Sequence, residues 1–105
     1  MQFIETPIFT RAVRAILSDD AYRALQGALM LRPEQGALIK GSGGLRKVRW
    51  AAKGAGKRGG ARIIYYWDKA REVFYMLYAY PKTVQDDLTS EQLRVLRRLV
   101  REEFP

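Results

Sequence analysis

The sequence predicts an α+β domain of order β-α-α-β-β-β-α, an antiparallel central sheet with a helical hairpin before it and one helix after it. Three observations predict this. Apolar residues recur at three-to-four spacing over the first third of the chain. Three runs rich in β-branched and aromatic residues, joined by short connections, follow. A strongly signalled helix start lies near the end. At 105 residues the chain is read as one domain, spanning 1–105, able to bury roughly two-thirds of its unfolded surface.

Taken in order, Phe3-Ile4-Glu5 before Pro7 reads as a short opening strand. From Pro7, Phe9, Val13, Ile16 and Leu17 form a helical stripe, with Arg11 and Arg14 on the opposite face. Ser18 followed by Asp19 and Asp20 restarts a helix, a side-chain cap with acids in the positive first turn. Tyr22, Leu25 and Leu29 line its apolar face, and Pro33-Glu34-Gln35-Gly36 stops it. Leu45 to Ala51 alternates, with Arg46, Val48 and Trp50 on one face and Lys47 and Arg49 on the other. Arg62 to Trp67 is a second strand, Asp68 to Glu72 a polar turn, and Val73 to Tyr80 a third strand, apolar on both faces and therefore central. Short connections make these three antiparallel. In the last helix Thr89 and Gln92 make a capping box flanked by a Leu88–Leu93 staple. Leu93, Leu96, Leu99, Val100 and Phe104 give its stripe, and Arg97, Arg98 and Arg101 suit its negative end.

The net charge of +8 is concentrated. Between Gln35 and Trp67 there is no acid, but eight cations: Lys40, Arg46, Lys47, Arg49, Lys53, Lys57, Arg58 and Arg62. Outside that window basic and acidic residues balance. A basic block on a neutral body reads as a binding face for a polyanion, or as a solvated basic loop with no specific role. The chain has neither His nor Cys. Disulfides, Cys/His zinc sites, His-based acid–base catalysis and triads built on His are therefore excluded. Residues 1–10 lack the pattern of a secretory signal, and no apolar run is long enough to span a membrane. These features and the absence of Cys fit a cytoplasmic protein.

Lys47 and Arg49, two apart on a strand, point the same way, and Arg62 opens the neighbouring strand. Lys82 directly follows the third strand after Tyr80-Pro81. Such a cluster suits phosphodiester cleavage by an RNA 2′-hydroxyl. A base must take the proton, a cation must stabilise the phosphorane, and an acid must protonate the leaving 5′-oxygen. Arg fits the second role through its planar, permanently charged fork. Without His, proton transfer falls to Lys, Tyr or a carboxylate. A free Lys is neutral in fewer than ~1 in 1,000 copies at pH 7, and neighbouring cations raise that fraction. Spacing is equally consistent with simple anion binding, or with the solvent face of a half-buried sheet. Tyr80 and Tyr66 flank the basic end and are the candidates for stacking on an exposed base, the other strand aromatics being structural.

The runs Gly43-Gly44-Leu45-Arg46-Lys47-Val48-Arg49-Trp50 and Gly56-Lys57-Arg58-Gly59-Gly60-Ala61-Arg62-Ile63-Ile64-Tyr65-Tyr66, with Tyr80-Pro81-Lys82 and Asp86-Asp87-Leu88, resemble toxins of bacterial type II toxin–antitoxin modules. The superfamily is RelE/ParE and the branch HigB-like. The resemblance implies a metal-independent mRNA endonuclease working in the ribosomal A site without a cofactor. It also implies a cognate antitoxin, carrying a helix-turn-helix DNA-binding domain, that neutralises the toxin. Carried across, Lys47, Arg49, Arg62 and Lys82 become the catalytic set. Arg46, Lys53, Lys57 and Arg58 become contacts to RNA backbone or ribosomal RNA. The chain departs from the family pattern at Thr83, where an Arg is often found, and in having no Tyr or His in the last helix. The resemblance leaves two alternatives for this chain: a ParE-like gyrase-poisoning toxin, which shares the fold, or a non-catalytic module that only binds nucleic acid or its antitoxin.

Overall fold

The computed structural model describes residues 1–51 and 60–103. Its elements are β1 (Gln2–Glu5), α1 (Pro7–Ile16), α2 (Asp19–Leu31), β2 (Ala37–Leu38), β3 (Arg46–Trp50), β4 (Ala61–Asp68), β5 (Val73–Pro81) and α3 (Ser90–Glu103). The five strands form one sheet in the order β1-β5-β4-β3-β2. The expected antiparallel unit is β3-β4-β5, with β5 inside the sheet.

Two features extend the sequence reading. β1 pairs parallel to β5, Phe3 opposite Phe74, so the sheet is mixed. The two-residue β2 pairs antiparallel with β3. It is too short to carry a period of its own, and its pairing is supplied by the turn that follows.

That turn explains the glycines. Gly41, Gly43 and Gly44 have positive φ, and a Cβ on Gly44 would meet the Tyr66 ring at 3.0 Å. Ser42 fastens the turn from inside, its hydroxyl donating to the Ile39 carbonyl and accepting from the Leu45 N–H. Leu45 is thereby buried, and β3 leaves the turn in the phase that sends Lys47 and Arg49 to one face and Val48 to the other.

Helices cover both faces. Phe9, Val13, Leu17, Leu25 and Leu29 of the hairpin pack on Val48, Ile63, Tyr65, Phe74 and Met76. Leu96 and Val100 of α3 pack on Leu45, Ile64, Tyr75 and Leu77. The caps match the sequence signals: the Ser18 hydroxyl accepts from Ala21 N–H, and Thr89 and Gln92 make both bonds of their capping box. Phe104 lies outside the described residues.

A bulge in β5 aims the site. Ile64 pairs with Tyr78 and Tyr65 with Met76, leaving Leu77 without a partner across the ladder. Val73, Tyr75 and Leu77 face α3; past the extra residue, Tyr78 and Tyr80 face it too. Thr6, the N-cap of α1, donates its hydroxyl to the Leu77 carbonyl at 2.9 Å while accepting from Phe9 N–H. One side chain thus starts the helix and satisfies the bulge.

Candidate active site

β3 and β4 bring the expected cations together. Arg49 lies directly opposite Arg62 in the antiparallel register, and Lys47 sits two residues along β3 on the same face. On the other side of β4, Arg62 is opposite Tyr80. Arg62 is 4 % exposed, unusual for a charge. Gly60 gives its guanidinium room, since a Cβ there would stand 3.3 Å from Nη1. Lys82 is exposed at the same end of the sheet, its backbone N–H bonded to the Gly60 carbonyl.

The buried guanidinium has a partner that sequence spacing did not assign to the site. Arg62 Nε and Nη2 donate to Asp86 Oδ1 at 3.1 and 3.0 Å. Lys47 Nζ donates to Asp87 Oδ1 at 2.5 Å and to the Asp86 carbonyl at 3.3 Å. Both acids lie between β5 and α3 and were read only as part of a family pattern. The available signal was adjacency: two acids a few residues beyond the third strand, in a chain whose strand cations Lys47, Arg49 and Arg62 have no acid near them in sequence. Among the described residues Arg49 makes no ion pair, and it is exposed.

Three other expectations come out differently. Tyr80 is not an open stacking platform: it is 2 % exposed, and its hydroxyl donates to the Asp86 carbonyl at 3.0 Å. The bulge turned it onto the cationic face, where it braces the acidic segment. Burial, reinforced by the Asp87 charge, pushes its hydroxyl up to about 12, so it remains a donor at neutral pH. Tyr66 is half-buried against the Tyr75 ring. Arg46 faces away from Lys47, toward the α2–β2 connection, where it donates to the carbonyls of Glu34 and Gly36 and pairs with the Glu34 carboxylate at 3.4 Å. Gly36 can approach because it has no Cβ, which would collide with the Tyr65 ring at 2.8 Å. Lys53, Lys57 and Arg58 lie outside the described residues.

The Arg62 hydrogen bond is the main reason the Asp86 carboxyl is held below the usual carboxylate range; desolvation opposes it, and Lys47 and Arg49 add to it. A carboxylate depressed in the folded state stabilises the fold above its unfolded pKa, about 3.9. That contribution is lost as pH falls through the lower folded value. Thermal melts taken from neutral pH down into acid should therefore show wild type more stable than Asp86→Asn at neutral pH. The gap should close below pH ~4. A pH-independent gap would show that the charge pair contributes nothing.

The domain thus presents Lys47, Arg49 and Arg62 on one sheet face, residue types whose donors match phosphate-like anions. The family model described as RelE toxin of the RelE / RelB toxin–antitoxin system matches residues 1–104, and the chain belongs to that family. It is a toxin of a toxin–antitoxin system, with an antitoxin as its implied partner. No described helix is long and apolar enough to cross a membrane.

Proposed function

We propose that this toxin is a cytoplasmic, ribosome-dependent mRNA endonuclease of the HigB-like branch, cutting without a metal. The observation that carries the reading is the cross-strand pair Arg49–Arg62 with Lys47 beside it. The 2′-oxygen attacks the adjacent phosphorus, its proton passes to a base, and the P–O5′ bond breaks as that oxygen gains a proton. The products are a 2′,3′-cyclic phosphate and a 5′-hydroxyl. Arg62 and Arg49 stabilise charge on the phosphorane, a role for donors aimed at charge that develops in the transition state. Lys47 or Lys82 moves protons. Lys53, Lys57 and Arg58 hold RNA backbone without reading sequence.

The antitoxin, with a helix-turn-helix domain, lays an acidic or amphipathic segment over the cations or beside α3. Ile8 and Val95 are exposed there, at a groove of about 480 Å³ that also reaches Leu77, Tyr78 and Leu99. The test is induced expression with mapping of RNA 5′ ends. Codon-phased cuts in translated mRNA, reproduced by purified toxin on programmed ribosomes in a chelator, support the reading. Intact mRNA with DNA damage overturns it in favour of a gyrase poison.

A further inference from the structure

Resting on that phosphate-binding reading, we propose that Asp86 and Asp87 determine which RNA this site accepts. Their carboxylates stand where the substrate phosphate must sit, and free RNA displaces them poorly.

The carboxylate on Arg62 takes the Nε and Nη2 donors that a phosphate oxygen would take, and Asp87 takes Lys47. The segment is fastened in place. Tyr80 and Lys47 both donate to the Asp86 carbonyl, and Gln85 Nε2 donates to the Asp87 carbonyl at 2.8 Å. Gln85 is in turn bonded to Gln92 of α3 at 2.8 Å.

Exposure is unequal across each pair. The side chains of Arg62 and Lys47 are 5 % and 15 % exposed, those of Asp86 and Asp87 55 % and 80 %. Releasing the acids into water therefore costs them little solvation, whereas Arg62 left behind would be a buried, unpaired charge. The favoured event is an exchange of anions, carboxylate out and phosphate in.

That exchange lowers apparent affinity in proportion to the fraction of time the acids are displaced. Among the described residues three strand cations face two carboxylates, so an incoming RNA meets little net charge where the scissile phosphate must sit, and of those three only Arg49 has no ion pair. RNA held in position by a larger assembly has a high effective concentration at the site and wins the exchange. RNA diffusing alone does not. The two acids thus act as specificity determinants for presented RNA.

The probe is a short single-stranded RNA with 2′-O-methyl riboses, which binds but cannot be cut. Its affinity is measured against wild type, Asp86→Asn/Asp87→Asn, and the charge-matched control Glu102→Gln/Glu103→Gln at the far end of α3. The expected result is a gain of about tenfold or more for the first variant. Its salt slope should steepen by about 0.7 for each added phosphate contact. The control should gain about twofold at most, the long-range effect of charge alone. An equal gain in both variants, or none in the first, overturns the proposal. If the double variant does not give a cooperative melt, Asp87→Asn, which frees only Lys47, is read by the same comparison. Binding needs no chemistry, so a wild type that fails to cut mRNA on ribosomes sinks the nuclease reading and leaves this result standing.

Discussion

Arg62→Ala is expected to lower the rate of mRNA cleavage on ribosomes by about 100- to 1,000-fold, the usual cost of removing one fixed donor to transition-state charge. Growth arrest on induction should disappear with it. Arg62 carries this expectation for three reasons: it is buried, it is directly opposite Arg49, and its Nε and Nη2 edge already holds a carboxylate oxygen. Stability should change little. Its partner Asp86 is more than half exposed and returns to water when the guanidinium is removed, so the cost is about 1 kcal/mol. Arg62→Lys should recover only part of the rate, since an ammonium keeps the charge and loses the planar fork. An Arg62→Ala protein that melts normally, cuts mRNA at the wild-type rate and still arrests growth would remove Arg62 from the mechanism. Cleavage, melting temperature and growth arrest must be read together, because only then is a lost site separable from a lost fold.

The strand cations were legible because alternation is a strictly local property. Lys47 and Arg49 are two apart on one strand, and the antiparallel connection brought Arg62 beside them. Asp86 and Asp87 were not, because their pairing with Arg62 and Lys47 spans 24 and 40 residues and passes through no repeating pattern. Tyr80 lies at the basic end, as its position in the sequence suggested, but buried rather than open. Plain alternation along β5 puts it on the face with Phe74 and Met76; the unpaired Leu77 shifts the phase and puts it beside Arg62. Nothing in Val73–Tyr80 marks the bulge. Its fastening is Thr6, 71 residues away.

The same contrast holds for the fold. Helix boundaries followed from caps, which are read within four residues: Ser18 for α2, Thr89 and Gln92 for α3. The direction of β1 was not determined by any local signal. It follows from the route of the chain, which leaves β1 into α1 and α2 and returns to the sheet at its opposite edge, so that β1 is free to close the sheet alongside β5. Arg46 shows how a basic residue in a basic run can be structural. The face it shares with Val48 carries it to the end of α2, where it ties two carbonyls that the helix stop leaves open.

Phe74→Ala is the complementary case, in which function fails because the fold does. Phe74 is fully buried and joins three strands. Its ring stacks on Phe3 of β1 at 4.7 Å and 12°, lies 4.3 Å from Trp67 of β4, and meets Tyr65 at 6.2 Å. Phe3 and Trp67 are also its register partners across the ladder. Removing the ring takes away the contact that seats the parallel edge strand and leaves a cavity under the hairpin, at a cost of about 3–5 kcal/mol. For a domain of this size each kcal/mol lowers the melting temperature by roughly 4–8 °C, so the variant should melt some tens of degrees early, as followed by far-UV circular dichroism. Phe74→Leu keeps most of the volume and should recover much of the loss. Toxicity of Phe74→Ala should be restored by lowering the growth temperature, whereas that of Arg62→Ala should not. If Phe74→Ala melts within a few degrees of wild type, the aromatic stack is not what holds β1 to the sheet.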